Sequence, residues 1–343
     1  MKFLELPSST RWAAYALAAL SAYLIWDQHF WWKIRDEYAF GFIVPLFVAY
    51  VLYERWPRLS KGLVSGGEDD NPGRAGAGFL KPGLGLVSVL MLGGGLLCFF
   101  AGLLYRAMEG QNLITSNFLA FGYANIVLGG AWFYFDKRAN GEEIPLAERW
   151  QLAMLFLFPA LIWMLSVPMF GAIDKIIRTF LMNKVAIVVY QVFDILGFAV
   201  VREGSVLKLP LGDVGVEDAC SGIRSLTACL FAGSFLGAVY FSRFWKKVFL
   251  VATAMLFAFI NNIFRSLFLT AWAYAKGPDG LESHVVLFGM DLGNVHDFTG
   301  WVVLGLTVIC LLVLVKLFSI RLEYELPPEE QEPEHEPEQE QKV

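Results

Sequence analysis

One short stretch of the chain combines a thiol, two small residues and a cation. Cys220 is followed by Ser221 and Gly222, and Arg224 opens an almost continuously apolar run that reaches Phe241. This pattern predicts that Cys220 lies near the N-terminus of a membrane helix, where unpaired N–H groups and the helix dipole favour negative charge. Such a position makes a nucleophilic thiolate more available. Helical spacing would also put Arg224 on the same face as Cys220.

The alternative for Cys220 is an inert buried thiol, the usual state of a cysteine in an apolar helix. Burial alone, however, gives no reason for the flanking Ser, Gly and Arg. Cys98, Cys229 and Cys310 lie inside apolar runs and are most simply core residues. Four cysteines without a CxxC pair argue against a disulfide scaffold or a zinc site, so we expect no metal and no cofactor.

A second cation is expected at the same membrane depth as the thiol. Cys220 precedes the polar turn at Arg243 by 23 residues, and Arg265 follows that turn by 22. Two antiparallel helical arms of nearly equal length would bring Cys220 and Arg265 to one level. An arginine there is costly unless it meets a polar cavity or a partner, although a snorkelling side chain is an alternative. Asn261 and Asn262 would either make this stretch polar or act as helix-packing amides.

A histidine stands directly before the last apolar run. His296 precedes Asp297 and lies close to Trp301. An imidazole exchanges a proton near neutral pH, so His296 at the level of Cys220 could act as base or acid. Its alternative role is that of an interfacial polar residue. For His284, in the same loop, the interfacial role is the better interpretation.

A thiolate, a guanidinium and an imidazole at one depth suit acyl transfer. The thiolate of Cys220 would attack a carbonyl and form a thioester. A fixed cation, for which Arg265 is the better candidate, would stabilise the developing oxyanion. His296 would move protons to the leaving amine and from the acceptor. Arg224 would position the thiolate or a substrate carboxylate.

The composition identifies the class of protein that carries these groups. Of 343 residues, 57% are hydrophobic and only 17% are charged, far fewer charges than a soluble domain of this size needs. We therefore expect an all-α polytopic membrane protein with a membrane domain over residues 1–322. The net charge of −5 is misleading, because residues 323–343 hold nine Glu and one Lys. This acidic segment is predicted to be a disordered cytoplasmic tail.

Eight apolar stretches are candidates to cross about 30 Å of hydrocarbon, which takes about 20 helical residues. They are Trp12–Trp26, Tyr38–Tyr53, Gly83–Tyr105, Leu113–Phe135, Trp150–Pro168, Ser221–Phe241, Val248–Ala271 and Phe298–Phe318. No small-residue cleavage site follows the first apolar core, so an uncleaved span is expected. Placing both termini in the cytoplasm puts 16 of 27 Lys and Arg residues on that side.

The segment between the fifth and sixth spans is expected to lie outside the bilayer core. Apolar residues recur at helical spacing from Ile173 to Leu196 and alternate with charges, which favours an amphipathic helix on the outer membrane face or across the bundle mouth. A true span starting near Ile176 is the alternative. Gly204–Val216 is expected to form a small hairpin that covers the site. No internal repeat is evident, which gives little support to an inverted-repeat transporter.

At these residues the chain resembles the exosortase/archaeosortase family of membrane-embedded cysteine transpeptidases. The family carries an A-C-S-G-[IL]-R motif, an N-x-x-R motif and, in exosortases, a His that leads into the last span. The matching positions are Ala219–Arg224, Asn262–Arg265 and His296 with Gly300. The segment Arg35–Pro45 also resembles an early family pattern, but Phe40 stands where many members have His. We therefore assign no catalytic part to that segment.

The resemblance implies cleavage of a C-terminal tripartite sorting signal of the PEP-CTERM kind on secreted proteins, in which a short motif precedes a transmembrane helix and a basic cluster. The new C-terminus would pass to a membrane lipid or glycan acceptor. It implies catalytic Cys220, Arg265 and His296, supported by Arg224, Ser221 and Asn262, within a catalytic part at about residues 150–320. The site would face the extracytoplasmic side of a bacterial inner membrane. No nucleic-acid partner is expected.

Two other functions remain open from the residues alone. A transporter or polymer-export subunit would use Arg224, Arg265 and His296 to line an anionic pathway, but this leaves the thiol at a helix start unexplained. A simple intramembrane cysteine protease would use the same three groups with water as the acceptor.

Overall fold

The computed structural model describes residues 8–64, 80–138, 140–215, 222–241, 244–287 and 290–324, in the following elements. They are α1 (Ser8–Ile34), the 3-10 helix η1 (Asp36–Ile43), α2 (Val44–Val64), α3 (Leu80–Glu109), α4 (Leu113–Tyr134), α5 (Leu146–Met154), α6 (Leu157–Leu165), α7 (Gly171–Ile195), β1 (Val201–Glu203), β2 (Val206–Leu209), β3 (Gly212–Gly215), α8 (Ile223–Tyr240), α9 (Phe244–Lys276), the 3-10 helix η2 (Pro278–Glu282), β4 (His284–Leu287), β5 (Met290–Asn294) and α10 (Val295–Tyr324). The predicted tail, beyond residue 324, lies outside the described residues.

The structure confirms an all-α polytopic membrane protein. Within the described ranges, eight segments are long and apolar enough to cross a membrane. They are Asp36–Leu63, Gly85–Glu109, Leu113–Tyr134, Leu146–Leu165, Gly171–Ile195, Ile223–Tyr240, Phe244–Lys276 and Val295–Leu317. The number equals the prediction, but the set differs in two respects: α7 is included and α1 is not. The predicted fifth span also consists of two short helices, α5 and α6, rather than one.

Contacts show which end of the bundle each helix reaches. We call the end at which α8 begins the site end. There η1 lies beside α8, since the Thr227 hydroxyl donates to the Glu37 carbonyl at 2.9 Å. Helix α1 leads directly into η1, and its Ser21 and Trp31 bond in turn to Tyr123 and Ser116 along α4. Helix α1 therefore lies along α4 from the site end as far as Tyr123, although its composition is too polar for the set above.

Helix α7 begins and finishes at the site end. Just before it, the Met169 N–H donates to the Tyr38 hydroxyl of η1 at 3.2 Å. Arg178 in its first half pairs with Glu37 at 3.6 Å. Near its other end, the ring of Phe193 lies 6.3 Å from that of Tyr274, close to the end of α9. Its length and apolar composition thus favour a span, whereas its contacts place both ends on one side of the bundle.

Helix α9 is too long to be contained in a bilayer. Its 33 residues extend about 50 Å, against about 30 Å of hydrocarbon. Its final third packs with α7 and both sheets around a separate apolar core, which contains Val185, Val189, Leu207, Leu209, Val214, Leu269, Ala273 and Val295. We call this unit, made of α7, the end of α9 and the two sheets, the cap.

The predicted hairpin is present, with one strand more than expected. Strands β1, β2 and β3 form an antiparallel sheet in that order, and Leu207 pairs with Val214 in register. Leu207 and Val214 are both buried in the cap core, while Lys208 points outward and pairs with Glu203 at 2.6 Å. This alternation is typical of a sheet with one face packed and one face exposed to solvent.

Glycines let α3 and α4 pack with their backbones close together. A Cβ placed on Gly122 would lie 2.6 Å from the Phe99 nitrogen and 2.8 Å from the Gly95 oxygen. A Cβ on Gly129 would lie 2.7 Å from the Leu92 nitrogen. Small residues at such contacts are a common means of association between membrane helices.

We therefore expect Gly122→Ala to lower the melting temperature of the detergent-solubilised protein, because the added methyl group forces two backbones apart. A loss of about 1–3 kcal/mol is typical of such overpacking. Gly130→Ala, on the same helix, is the control, since a Cβ there meets nothing within 4 Å. Equal melting temperatures for the two variants would contradict the close packing of α3 and α4.

Candidate active site

The N-terminus of α8 is formed by a glycine in the left-handed conformation. Gly222 has φ +58° and ψ −23° and stands at the N-cap, so the helix begins at Ile223. The Ser225 hydroxyl donates to the Gly222 carbonyl at 2.9 Å. Cys220 and Ser221 lie outside the described residues. The predicted placement of Arg224 on the same face as the Cys220 thiol therefore stays a prediction.

Gly222 lies directly against α9. A Cβ on Gly222 would be 2.7 Å from the Nδ2 atom of Asn262, which is buried. Farther along the same pair of helices, a Cβ on Gly233 would lie 3.0 Å from the Ala254 side chain. Helices α8 and α9 are thus antiparallel neighbours, which is the arrangement assumed in the equal-length argument, and they bring Asn262 to the start of α8.

One turn beyond Asn262, the Arg265 guanidinium binds the first turn of α10. Its Nη2 lies 3.1 Å from His296 Nε2 and also donates to the His296 carbonyl oxygen at 3.1 Å. The guanidinium passes over Gly300, where a Cβ would lie 3.6 Å from Nη2. Within the described part of the chain, Arg265 Nε is buried and makes no hydrogen bond. The described residues therefore leave this N–H donor of Arg265 without an acceptor.

The start of α10 fixes the histidine. Asn294 Oδ1 accepts the Asp297 backbone N–H at 2.7 Å, a standard N-cap bond. The His296 side chain is 31% exposed, and its Nδ1 lies 3.4 Å from Asp297 Oδ1. A buried contact anchors this turn to the cap, since Val295 belongs to the cap core and its N–H donates to the Ser283 carbonyl.

Arg224 is held by a carboxylate that is distant in sequence. Its Nη2 lies 2.7 Å from Asp36 Oδ2, and the two side chains are 61% and 75% exposed. Because solvent screens such exposed pairs, this one contributes little to stability. Arg224 therefore remains accessible at the site end, although the sequence contains no local signal for its pairing with Asp36.

Two other polar residues have structural contacts. Asn261 donates to the Thr307 hydroxyl at 2.6 Å, so it is a packing amide between α9 and α10. His284 pairs with Asp291 at 2.8 Å on the exposed face of the β4–β5 hairpin. The Gly293 N–H and the His284 ring hold the pKa of Asp291 below its usual range. His284 therefore has an exposed partner of its own in Asp291.

Comparison with known proteins identifies the family. A family model described as transmembrane exosortase matches residues 31–313. The chain belongs to the transmembrane exosortase family. Searches of curated proteins and of solved structures gave no match. Family membership supports a membrane sorting transpeptidase, whose substrates are in general secreted proteins with sorting signals.

The matched residues include all the candidate site residues. In the segment Arg35–Pro45, Phe40 is a packing residue, and its ring stacks 4.9 Å from that of Phe231. Within the described ranges, no group of three His, Cys, Asp or Glu side chains could hold a metal ion. The sequence did not single out Asp36 or Asp297 as site residues, although Asp297 is adjacent to the predicted histidine.

The contact between Gly222 and Asn262 can be tested with a pair of glycines. Gly222→Ala should reduce substrate processing by this exosortase at least about tenfold, because the methyl group displaces the Asn262 amide as well as straining the backbone. Gly204 has a similar φ of +65° but open space around it. Gly204→Ala therefore carries only the cost of holding a residue with a Cβ in the left-handed conformation, about 1–2 kcal/mol. Processing is measured in cells at matched protein levels. An equal effect in both variants would mean that strain alone accounts for the loss.

Proposed function

We propose that this exosortase is a cysteine transpeptidase that cleaves a C-terminal sorting signal and transfers the new C-terminus to an acceptor. Cys220 is the nucleophile, Arg265 stabilises the oxyanion and His296 transfers protons. Arg224, Ser221 and Asn262 support these three groups. The substrates are secreted proteins with a PEP-CTERM-type tripartite signal, and the acceptor is a membrane lipid or glycan.

The observation that carries the proposal is the pairing of Arg265 with His296 at the start of α10. The guanidinium lies on Gly300, has a buried Nε–H with no acceptor among the described residues, and touches the imidazole nitrogen that would move a proton. Asn262 lies one turn away and touches Gly222, two residues after Cys220 in the sequence. A snorkelling arginine would instead extend its charge into water.

In the first half of the reaction the peptide bond is exchanged for a thioester. The Cys220 thiol gives its proton to His296 Nε2, and sulfur forms a bond to the carbonyl carbon. Negative charge develops on the carbonyl oxygen and is stabilised by the N–H groups of Arg265. As the carbon–nitrogen bond breaks, the imidazolium returns the proton to the leaving amine.

In the second half an acceptor replaces sulfur. The amine or hydroxyl of the acceptor loses its proton to His296 and attacks the thioester carbonyl. As the carbon–sulfur bond breaks, the imidazolium returns that proton to the sulfur, which restores the thiol and the neutral imidazole. The cap packs beside this end of the bundle through Val295 and the last third of α9. Restricting water there would let a bound acceptor compete with hydrolysis.

The proposed orientation puts the site on the extracytoplasmic side of a bacterial inner membrane, with both termini in the cytoplasm. Basic residues gather at the opposite end of the bundle, where Arg55 donates to the Ala238 carbonyl at 3.1 Å and Arg58 and Lys247 lie nearby. An excess of Lys and Arg is typical of cytoplasmic ends.

A covalent intermediate at Cys220 provides the most direct test. Purified enzyme with a sorting-signal peptide and hydroxylamine should give a hydroxamate at the new C-terminus, detected by mass spectrometry, because hydroxylamine intercepts a thioester. Cys220→Ser should lose processing and the adduct but still accumulate, and His296→Ala should slow thioester formation or breakdown. Cys229→Ser is the control, since Cys229 is 2% exposed in the core between α8 and α9.

The outcomes of this experiment separate the candidate functions. A free carboxylate with a Cys220 adduct but no hydroxamate would indicate a hydrolase that uses water as the acceptor. Processing by Cys220→Ser, or equal loss in Cys229→Ser, would rule out Cys220 as the nucleophile.

Arg265→Lys should reduce processing by at least about two orders of magnitude, the usual effect of removing one oxyanion donor. A guanidinium can bond to the His296 carbonyl and still offer other N–H groups to the oxyanion, whereas an ammonium is a compact point charge. Arg178→Lys is the control, because Arg178 lies at the same end of the bundle but pairs with Glu37. Normal processing by Arg265→Lys would show that only a charge is needed at this position.

A further inference from the structure

Both ring nitrogens of His296 have charged neighbours. Nε2 lies 3.1 Å from the Arg265 guanidinium, and Nδ1 lies 3.4 Å from Asp297 Oδ1. Arginine has N–H donors and no acceptor, so Nε2 is the acceptor whenever this hydrogen bond forms, and it carries no proton in that state. A neutral imidazole with a bare Nε2 carries its proton on Nδ1, where it can donate to the carboxylate of Asp297.

We propose that Asp297 is the positioning residue of the site: it fixes the Nδ1–H tautomer of His296 and stabilises the imidazolium formed during transfer. This inference rests on the proposed function, in which His296 Nε2 takes the thiol proton. Only the Nδ1–H tautomer leaves Nε2 available as a base, since the other tautomer already has hydrogen there.

The alternative for Asp297 is an acidic residue in the first turn of α10 that only complements the helix dipole. The cap of this helix is already provided by the Asn294 side chain, which accepts the Asp297 backbone N–H at 2.7 Å. The Asp297 side chain is therefore not required as the cap, and its carboxylate lies beside the imidazole. It is 53% exposed, so water competes with this contact and the expected effect is moderate.

The same geometry implies an order of events at Nε2. In the resting site an Arg265 N–H occupies the Nε2 lone pair, so His296 cannot yet accept the thiol proton. When a substrate carbonyl arrives, the guanidinium N–H transfers its hydrogen bond to that oxygen and frees Nε2. The proton then moves from sulfur to Nε2, and the resulting positive ring lies between the Asp297 carboxylate and the departing guanidinium.

The charged groups packed around His296 are few in the described part of the chain. Arg265 approaches from α9 and Asp297 lies on α10 itself. On the adjoining hairpin, His284 and Asp291 bond to each other. Asp291 thus carries the same charge on the hairpin that leads into α10 but bonds to His284 and Gly293, which makes it a matched control.

The test uses the full-length enzyme, labelled with ¹⁵N-histidine, in detergent. The chain has only four histidines, and the His296→Gln spectrum assigns the signal of interest. We expect protonated Nδ1 and bare Nε2 in the wild type, and a mixture of tautomers in Asp297→Ala. The rate of Cys220 acylation by a sorting-signal peptide should fall at least about tenfold in Asp297→Ala, less in Asp297→Asn and not at all in Asp291→Asn.

An unchanged tautomer in Asp297→Ala, or an unchanged acylation rate, would overturn the role of Asp297. An equal loss in Asp291→Asn would also overturn it and indicate a general effect of surface charge. The tautomer is measured without substrate, so it distinguishes this failure from that of the proposed function, in which the wild type itself would show no acylation. If Asp297→Ala does not accumulate, Asp297→Asn is judged by the same two criteria.

Discussion

A guanidinium within an apolar helix cannot lose its charge, so its N–H groups need hydrogen-bond acceptors. Among the residues that the structure describes, the acceptors of Arg265 come from one residue, because the ring and the carbonyl of His296 both lie 3.1 Å from its Nη2. Gly300 provides the space through which the side chain reaches them. The meeting of α9 and α10 at the site end, and with it the proximity of cation and imidazole, depends on this requirement.

The cap makes that meeting rigid. Helix α9 continues beyond Arg265 to Lys276, and its last third shares an apolar core with α7 and the three-stranded sheet. The core includes Val295, the first residue of α10, so burial on the cap fixes the residue directly before His296. The chain enters α10 from the β4–β5 hairpin, and Asn294 caps the helix as that hairpin ends. Packing outside the bundle thus determines the geometry of the site.

The N-terminal helices form a scaffold with a polar network of its own. Gln28 accepts from the Ser166 hydroxyl at 2.6 Å, and the Trp32 indole donates to the Ser166 carbonyl at 2.9 Å, which ties α1 to the end of α6. From this scaffold η1 reaches the site end, where Asp36 meets Arg224. The scaffold therefore brings the Asp36 carboxylate to the first turn of α8. Phe40, on the same 3-10 helix, packs inward against Phe231.

The amino-acid sequence by itself determined the membrane class, most of the spans and the candidate polar groups, because a charge or thiol within an apolar run is a local exception that hydropathy makes visible. Only the tertiary structure decided what those groups touch. The partner of Arg224 lies 188 residues away, and the role of Asn261 depends on Thr307 of another helix. Helix α7 is apolar enough to be a span, yet both its ends lie at the site end, and the cap core buries the stretch of its second half that contains Val185, Val189 and Phe193. Hydropathy records how much apolar surface a segment must bury, whereas the partner that buries it, whether lipid or protein, is set by contacts between distant residues.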